Sequence, residues 1–189
     1  EMFLSGVVSE DGVIDGTMAD ISSRLFADDR TWSFMLYDGK QQISVTQNDV
    51  RQIQLAKGAL YAGAKLLMDR AGVDSVDRIR LAGAFGSHID PKYAMVLGLI
   101  PDCDLAQVNS AGNAAGTGAR IALLSQASRR EIETVVRSIE KIETAVEAKF
   151  QDYFVAAMAI PNKDDSFPQL YSVVKKPPSK AGMAENSGR

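Results

Sequence analysis

Cysteine is nearly missing from this sequence: Cys103 is the only one. A single thiol can build neither a disulfide framework nor a cysteine-ligated cluster, so any iron–sulfur centre must be held by other residues than these. Histidine is equally scarce. His88 stands alone in a stretch that reads as turn, and no carboxylates surround it at the spacing of a metal site, so a structural or solvent-facing role is expected. A basic excess is also lacking, since 21 Lys and Arg face 24 Asp and Glu for a net charge of -3. Without a positive field there is little to attract a polyanion, and nucleic acid is not an expected partner. No apolar run approaches the roughly 20 residues of a membrane span. The opening EMFLSGVV carries neither the basic flank nor the cleavage site of a signal peptide, and a cytoplasmic chain without a membrane partner is expected.

What is present is globular in character, with 46% hydrophobic and 24% charged residues. A chain of this length normally makes one domain and buries about 70% of its unfolded surface. Residues 1–170 are expected to form that domain and 171–189 a flexible tail, most clearly from Lys175 on, where KKPPSKAGMAENSGR has a disordered composition. Glu1 to Ser5 reads as the last turn of a helix closed by Gly6, which suggests a truncated start. Ser33–Tyr37 and Gln42–Val45 bracket Asp38-Gly39-Lys40-Gln41 as a hairpin, with Trp32, Phe34 and Leu36 expected on one core-facing side. Thr46 followed by Asp49 is a capping-box start for a helix running to Ala71 and ended by Gly72. Along it Val50, Ile53, Lys57, Leu60, Ala64 and Leu67 form a stripe interrupted by lysine. Such a lysine either snorkels from the stripe edge or reaches a ligand.

The centre of the chain is VDRIRLAGAFGSHID, Val76 to Asp90. A short apolar run through Ile79, Leu81, Ala82 and Ala84 is punctuated by Gly83 and Gly86 and closed by Asp90-Pro91 as N-cap and first-turn proline. The pattern is buried strand, glycine turn, helix. Gly83 permits close approach of a ligand to the backbone and Phe85 offers a flat apolar face, as an adenine site requires, although strands ending in glycine are common in α/β domains. Further on, Leu105–Asn109 reads as a short strand. GNAAGTGARIALLS, Gly112 to Ser125, reads as a helix whose first turns carry only small residues. Glycine costs about 1 kcal/mol per site in a helix interior, so a neighbouring backbone is expected to pack very close to Gly116 and Gly118. Ile132, Val135, Ile139, Ile142 and Val146 mark one amphipathic helix packed on the outside, and Phe150–Ile160 a last helix stopped by Pro161.

LAGAFG followed by GNAAGTGAR resembles the adenosine and second connecting motifs of the acetate and sugar kinase, heat-shock chaperone and actin superfamily. QLAKGAL, Gln54 to Leu60, looks like the chaperone helix that brings a carboxylate and a lysine to adenine and ribose. TQNDVRQIQLAKGALYAGAKLL, LAGAFGSHIDPKYAMVLGLIPD and AMAIPN together resemble the carboxy-terminal region of reductive activators of corrinoid proteins, over roughly Glu1 to Leu170. The resemblance implies an α/β fold: one lobe of an actin-like (ribonuclease H-like) ATPase, a mixed sheet flanked by helices. It implies ATP contacted by Gln54, Lys57, Gly83, Ala84, Phe85, Gly86 and Ser87. Mg²⁺ and the phosphates would be held mostly by a missing lobe, and a 2Fe-2S cluster by an absent N-terminal domain. Such proteins couple ATP hydrolysis to electron delivery into the cobalt(II) of a corrinoid methyltransferase system. A corrinoid protein is therefore the implied partner, with a homodimer as a further possibility. The family's phosphate-binding glycines and ferredoxin cysteines have no counterpart in these residues, so the chain alone is not expected to hydrolyse ATP well. The other reading is a non-catalytic docking or dimerisation module of the same fold.

Overall fold

The computed structural model describes residues 1–177, and the part of the expected tail from residue 178 on lies outside the described residues. The chain starts in one helical turn, in which Ser5 N donates to Glu1 O at 2.9 Å, closed as expected by Gly6 in the left-handed region, and Val8 is then bridged to Ile14. A short 3-10 turn at Gly16–Asp20 leads to an antiparallel sheet of β1 (Leu25–Asp28), β2 (Thr31–Tyr37) and β3 (Ile43–Val45), paired in that order. The hairpin β2–β3 matches the expectation, and β1 adds an edge that the sequence did not announce. On β2 the fully buried residue is Ser33, whose hydroxyl donates to Asp28 at 2.8 Å, while Leu36 is exposed. On the expected core face Trp32 and Phe34 are half-buried against the core, whereas Leu36 is exposed.

Helix α1 (Gln47–Ala71) begins in a full capping box between Thr46 and Asp49 and ends at Gly72 in the left-handed region. Both ends are fixed by local chemistry, and both fall where expected. Its buried side carries Val50, Gln54, Lys57, Gly58, Tyr61, Leu66 and Met68, whereas Ile53, Leu60 and Leu67 from the expected stripe are exposed. The helix is thus rotated from the anticipated face. Apolar residues occur nearly all round it, so periodicity alone could not choose the side.

Strand β4 (Ile79–Ala82) pairs in parallel with β5 (Val108–Gly112), with Ala82 opposite Gly112. The expected glycine turn after β4 is confined to Gly83 (φ +90°), which opens α2 (Gly83–His88). Asp90 then caps α3 (Pro91–Leu97), accepting from the amides of Lys92 and Tyr93, and Gly98 closes it. A 3-10 turn, Leu105–Gln107, stands where the start of a strand was expected, and β5 begins only at Val108. Helix α4 (Ala114–Leu124) is capped by Asn113 and runs into α5 (Gln126–Ser138) through Ser125. The single long amphipathic helix expected through Val146 does not form. At Ser138 the hydroxyl donates back to Val135 O, Ile139 turns extended, and Ile139 and Val146 are exposed. No residue of α5 is buried, so packing does not extend it.

Helix α6 (Phe150–Ala156) lies against α1, with Phe154 and Met158 over Gly58. Helix α7 (Pro168–Val173) crosses the boundary expected at residue 170. Asp102 accepts from the amides of Gln169 and Leu170 at 2.8 and 2.9 Å, and Leu170 and Val174 join the core. That core gathers Phe3, Val8, Ile14, Leu25, Tyr61, Met95, Ile160, Phe167 and Leu170 from both ends of the chain.

Candidate functional site

Parallel strands place the ends of successive strands on one edge, and loops leaving those carboxyl ends are where α/β sheets meet ligands. Here β4 ends at Gly83 (φ +90°) and β5 at Gly112 (φ +60°), both conformations that a side chain resists. A Cβ at either position would meet nothing within 4 Å. Neither glycine is thus needed for internal packing; both leave backbone uncovered at the same edge. Phe85 projects beside them with 75% of its surface exposed, an unusual placement for a phenyl ring with no ring partner among the described residues. Ala84 and Ser87 are also exposed. Gly86 is the exception: it is buried, and a Cβ there would press on the Leu81 backbone, so it is required for seating α2 on β4.

Hydroxyls connect the two turns. Gly112 N donates to Ser110 Oγ at 3.1 Å, Ser110 donates to Ser87 Oγ at 3.3 Å, and Ser87 donates to Gly83 O at 3.0 Å. Ser110, Gly112 and Asn113 were not among the expected site residues. Their signal was the Gly-Asn that opens GNAAGTGAR directly after a strand.

Gln54 and Lys57 stand elsewhere. Gln54 Nε2 donates to Asp11 O at 3.0 Å and to Met158 O at 2.7 Å. Lys57, only 1% exposed, donates from Nζ to Ala159 O and to Pro161 O, the latter at 2.8 Å. Burial pushes its ammonium down to about 7, and the two carbonyl oxygens facing it oppose that shift. Both side chains line an apolar cavity of about 270 Å³ with Phe3, Val8, Val50 and Tyr93, and none of Gly83 to Ser87 lines it. The structure thus brings Gly83, Ala84, Phe85 and Ser87 together on the strand edge and ties Gln54 and Lys57 to the segment after α6.

The close backbone packing expected over the small-residue helix is absent from the described residues. Gly118 has open space above it, and Gly116 faces only its own capping residue Asn113. Metal chemistry finds no obvious home either. A cavity of about 560 Å³ is lined by Asp74, Asp77, Asp102, Asp104 and Asp165. Asp102 caps α7, Asp104 caps the turn before β5, and Asp165 accepts from Tyr61 at 2.8 Å and pairs with Lys65 at 3.1 Å. Among the described residues no cluster of three His, Cys, Asp or Glu is arranged to hold an ion. Cys103 is buried, and burial raises its thiol pKa, so it is an inert core residue. A 2Fe-2S cluster does not fit this donor set.

Small sheets flanked by helices, with two glycine turns at the ends of neighbouring parallel strands, make a mixed α/β lobe. The chain belongs to the family described as the C-terminal domain of RACo, the ASKHA domain, which it matches over residues 1–171. It is 41% identical over 120 residues to the corrinoid activation enzyme RamQ of Eubacterium limosum, covering 62% of this chain and 20% of that protein. A solved structure of a reductive activator for corrinoid, iron-sulfur protein superposes with a TM-score of 0.71 at 31% identity, covering 84% of this chain and 26% of that one. The chain therefore spans about a fifth to a quarter of the length of these relatives. No described helix is long and apolar enough to cross a membrane.

Proposed function

We propose that this chain is the adenosine-facing lobe of a cytoplasmic reductive activator that couples ATP hydrolysis to reduction of a cobalt(II) corrinoid. The relatives named as corrinoid activators support the role, and one geometric observation carries the site: two positive-φ glycines, Gly83 and Gly112, side by side under open space with the exposed Phe85. In this reading adenine lies against Ala84 and Phe85, and the backbone at Gly83 and Gly112 admits the ribose and first phosphate. Gly86 and Ser87 support the turn. Gln54 and Lys57 act from behind by fixing α1 to the segment at Met158–Pro161, which aligns the lobe. Bound ATP supplies the free energy of phosphate release; groups outside these residues are left to hold Mg²⁺ and the outer phosphates. The 2Fe-2S electron source likewise belongs outside them, and the client is a corrinoid protein of a methyltransferase system.

Calorimetric titration of ATP into the full-length protein tests the site. Phe85→Ala should weaken binding, since a base stacked on an aromatic ring is worth about 1–3 kcal/mol, and wild-type affinity in that variant would overturn the adenine placement. Titration against a corrinoid client in its cobalt(II) and methylated states tests the role. An activator can shift the cobalt equilibrium only by its differential affinity for the two states. Preference for cobalt(II) is expected; equal affinity would favour a docking module of the same fold.

A further inference from the structure

An open strand edge with two unsupported glycine turns has a mechanical problem: glycine is the most mobile residue, and among the described residues nothing lies within 4 Å of where a side chain would start at either turn. Ser87 and Ser110 supply the missing restraint. Ser87 lies on α2, one helical turn after Gly83, and its hydroxyl donates to the Gly83 carbonyl at 3.0 Å. Ser110 lies on β5, two residues before Gly112, and accepts from the Gly112 amide at 3.1 Å. The two hydroxyls meet at 3.3 Å, so one chain of three hydrogen bonds runs from one glycine turn to the other. Both serines are exposed and neither contributes to the core, so little of the fold depends on them.

We infer that Ser87 and Ser110 are positioning residues that set the spacing of the Gly83 and Gly112 turns for the nucleotide. The inference rests on the proposed nucleotide reading of this edge. The ligand touches the glycine backbone, and the serines act through it by holding each turn in one of the many conformations glycine permits. Because the two turns are linked through the one Ser110–Ser87 contact, loss of either serine uncouples them.

The test is ATP titration into the full-length protein carrying Ser87→Ala, Ser110→Ala, both together, and Ser110→Thr, with Phe85→Ala as control. Each alanine should weaken ATP roughly three- to tenfold, the scale of one lost hydrogen bond. The double variant should lose less than the product of the two single losses, because the Ser110–Ser87 bond is removed by either single variant and is lost only once in the double. Ser110→Thr restores the hydroxyl and should restore affinity, and melting temperatures should stay within a degree or two of wild type. Wild-type affinity in both alanine variants overturns the inference, as does a double variant whose loss is the product of the singles. If the wild type binds no ATP, or Phe85→Ala binds as well as wild type, the nucleotide reading fails first and takes the inference with it.

Discussion

Two halves of this molecule treat the same residue types in opposite ways. Around α1, α3, α6 and α7, polar groups are buried and fully engaged: Gln54 and Lys57 donate to backbone carbonyls over a hundred residues away in sequence, and Asp102 caps α7. Around β4, β5, α2, α4 and α5 apolar groups are exposed instead. Phe85, Leu123, Leu124 and Val136 face outward, and α4 and α5 bury none of their residues. Parallel strands are normally covered on both faces, yet most of β5 is exposed. The first half holds the lobe together. The second keeps a surface available, and its glycines mark where contact is left to be made rather than where it has been made.

The sharpest way to break this comparison is one substitution made in both halves. Gly98 has φ +71°, and a Cβ there would collide with the Pro161 carbonyl. Gly98→Ala should therefore cost about 2–5 kcal/mol, combining left-handed strain with overpacking. A urea midpoint unchanged from wild type would show that the first half yields more than its packing implies.

Next in size is Lys57→Met, which strips the donor from the Ala159 and Pro161 carbonyls and should cost about 1–3 kcal/mol near neutral pH. The pH dependence has a definite sign. The folded-state ammonium is pushed down to about 7 from an ordinary 10.5. Between those values the unfolded chain holds a proton that the folded chain has lost, so this group makes stability rise with pH from about 7 to about 10. Below 7 its penalty is fully present. Denaturation curves across that range should show the rise in wild type and lose it in Lys57→Met; parallel curves would mean that the carbonyls keep the ammonium charged throughout.

The smallest effect belongs to the second half. Gly118 sits inside α4 with nothing within 4 Å of a built Cβ. Gly118→Ala should raise the stability of this chain by roughly 1 kcal/mol through helix propensity alone. A lower melting temperature would reveal the close neighbour that the small residues of α4 first suggested.

Boundaries were legible wherever a single turn of chain decides them. Thr46 with Asp49, Gly72 and Asp90 with Pro91 act through hydrogen bonds or backbone angles only a few residues away, and each cap stands where the sequence places it. The candidate site was partly legible for the same reason, since Gly83 and Phe85 follow directly from a strand end, while the neighbourhood of Ser110 and Gly112 to them emerges only when β5 is laid beside β4.

By itself, then, the sequence determined where α1 begins and ends and where α3 begins, because capping and φ are local. Only the tertiary structure decided which side of α1 is buried, that Gln54 and Lys57 grip Met158 to Pro161, and that the stripe from Ile132 to Val146 breaks at Ser138. Those outcomes depend on what lies opposite each face. Apolar residues on several sides of a helix leave that choice to its neighbours, which come from distant parts of the chain.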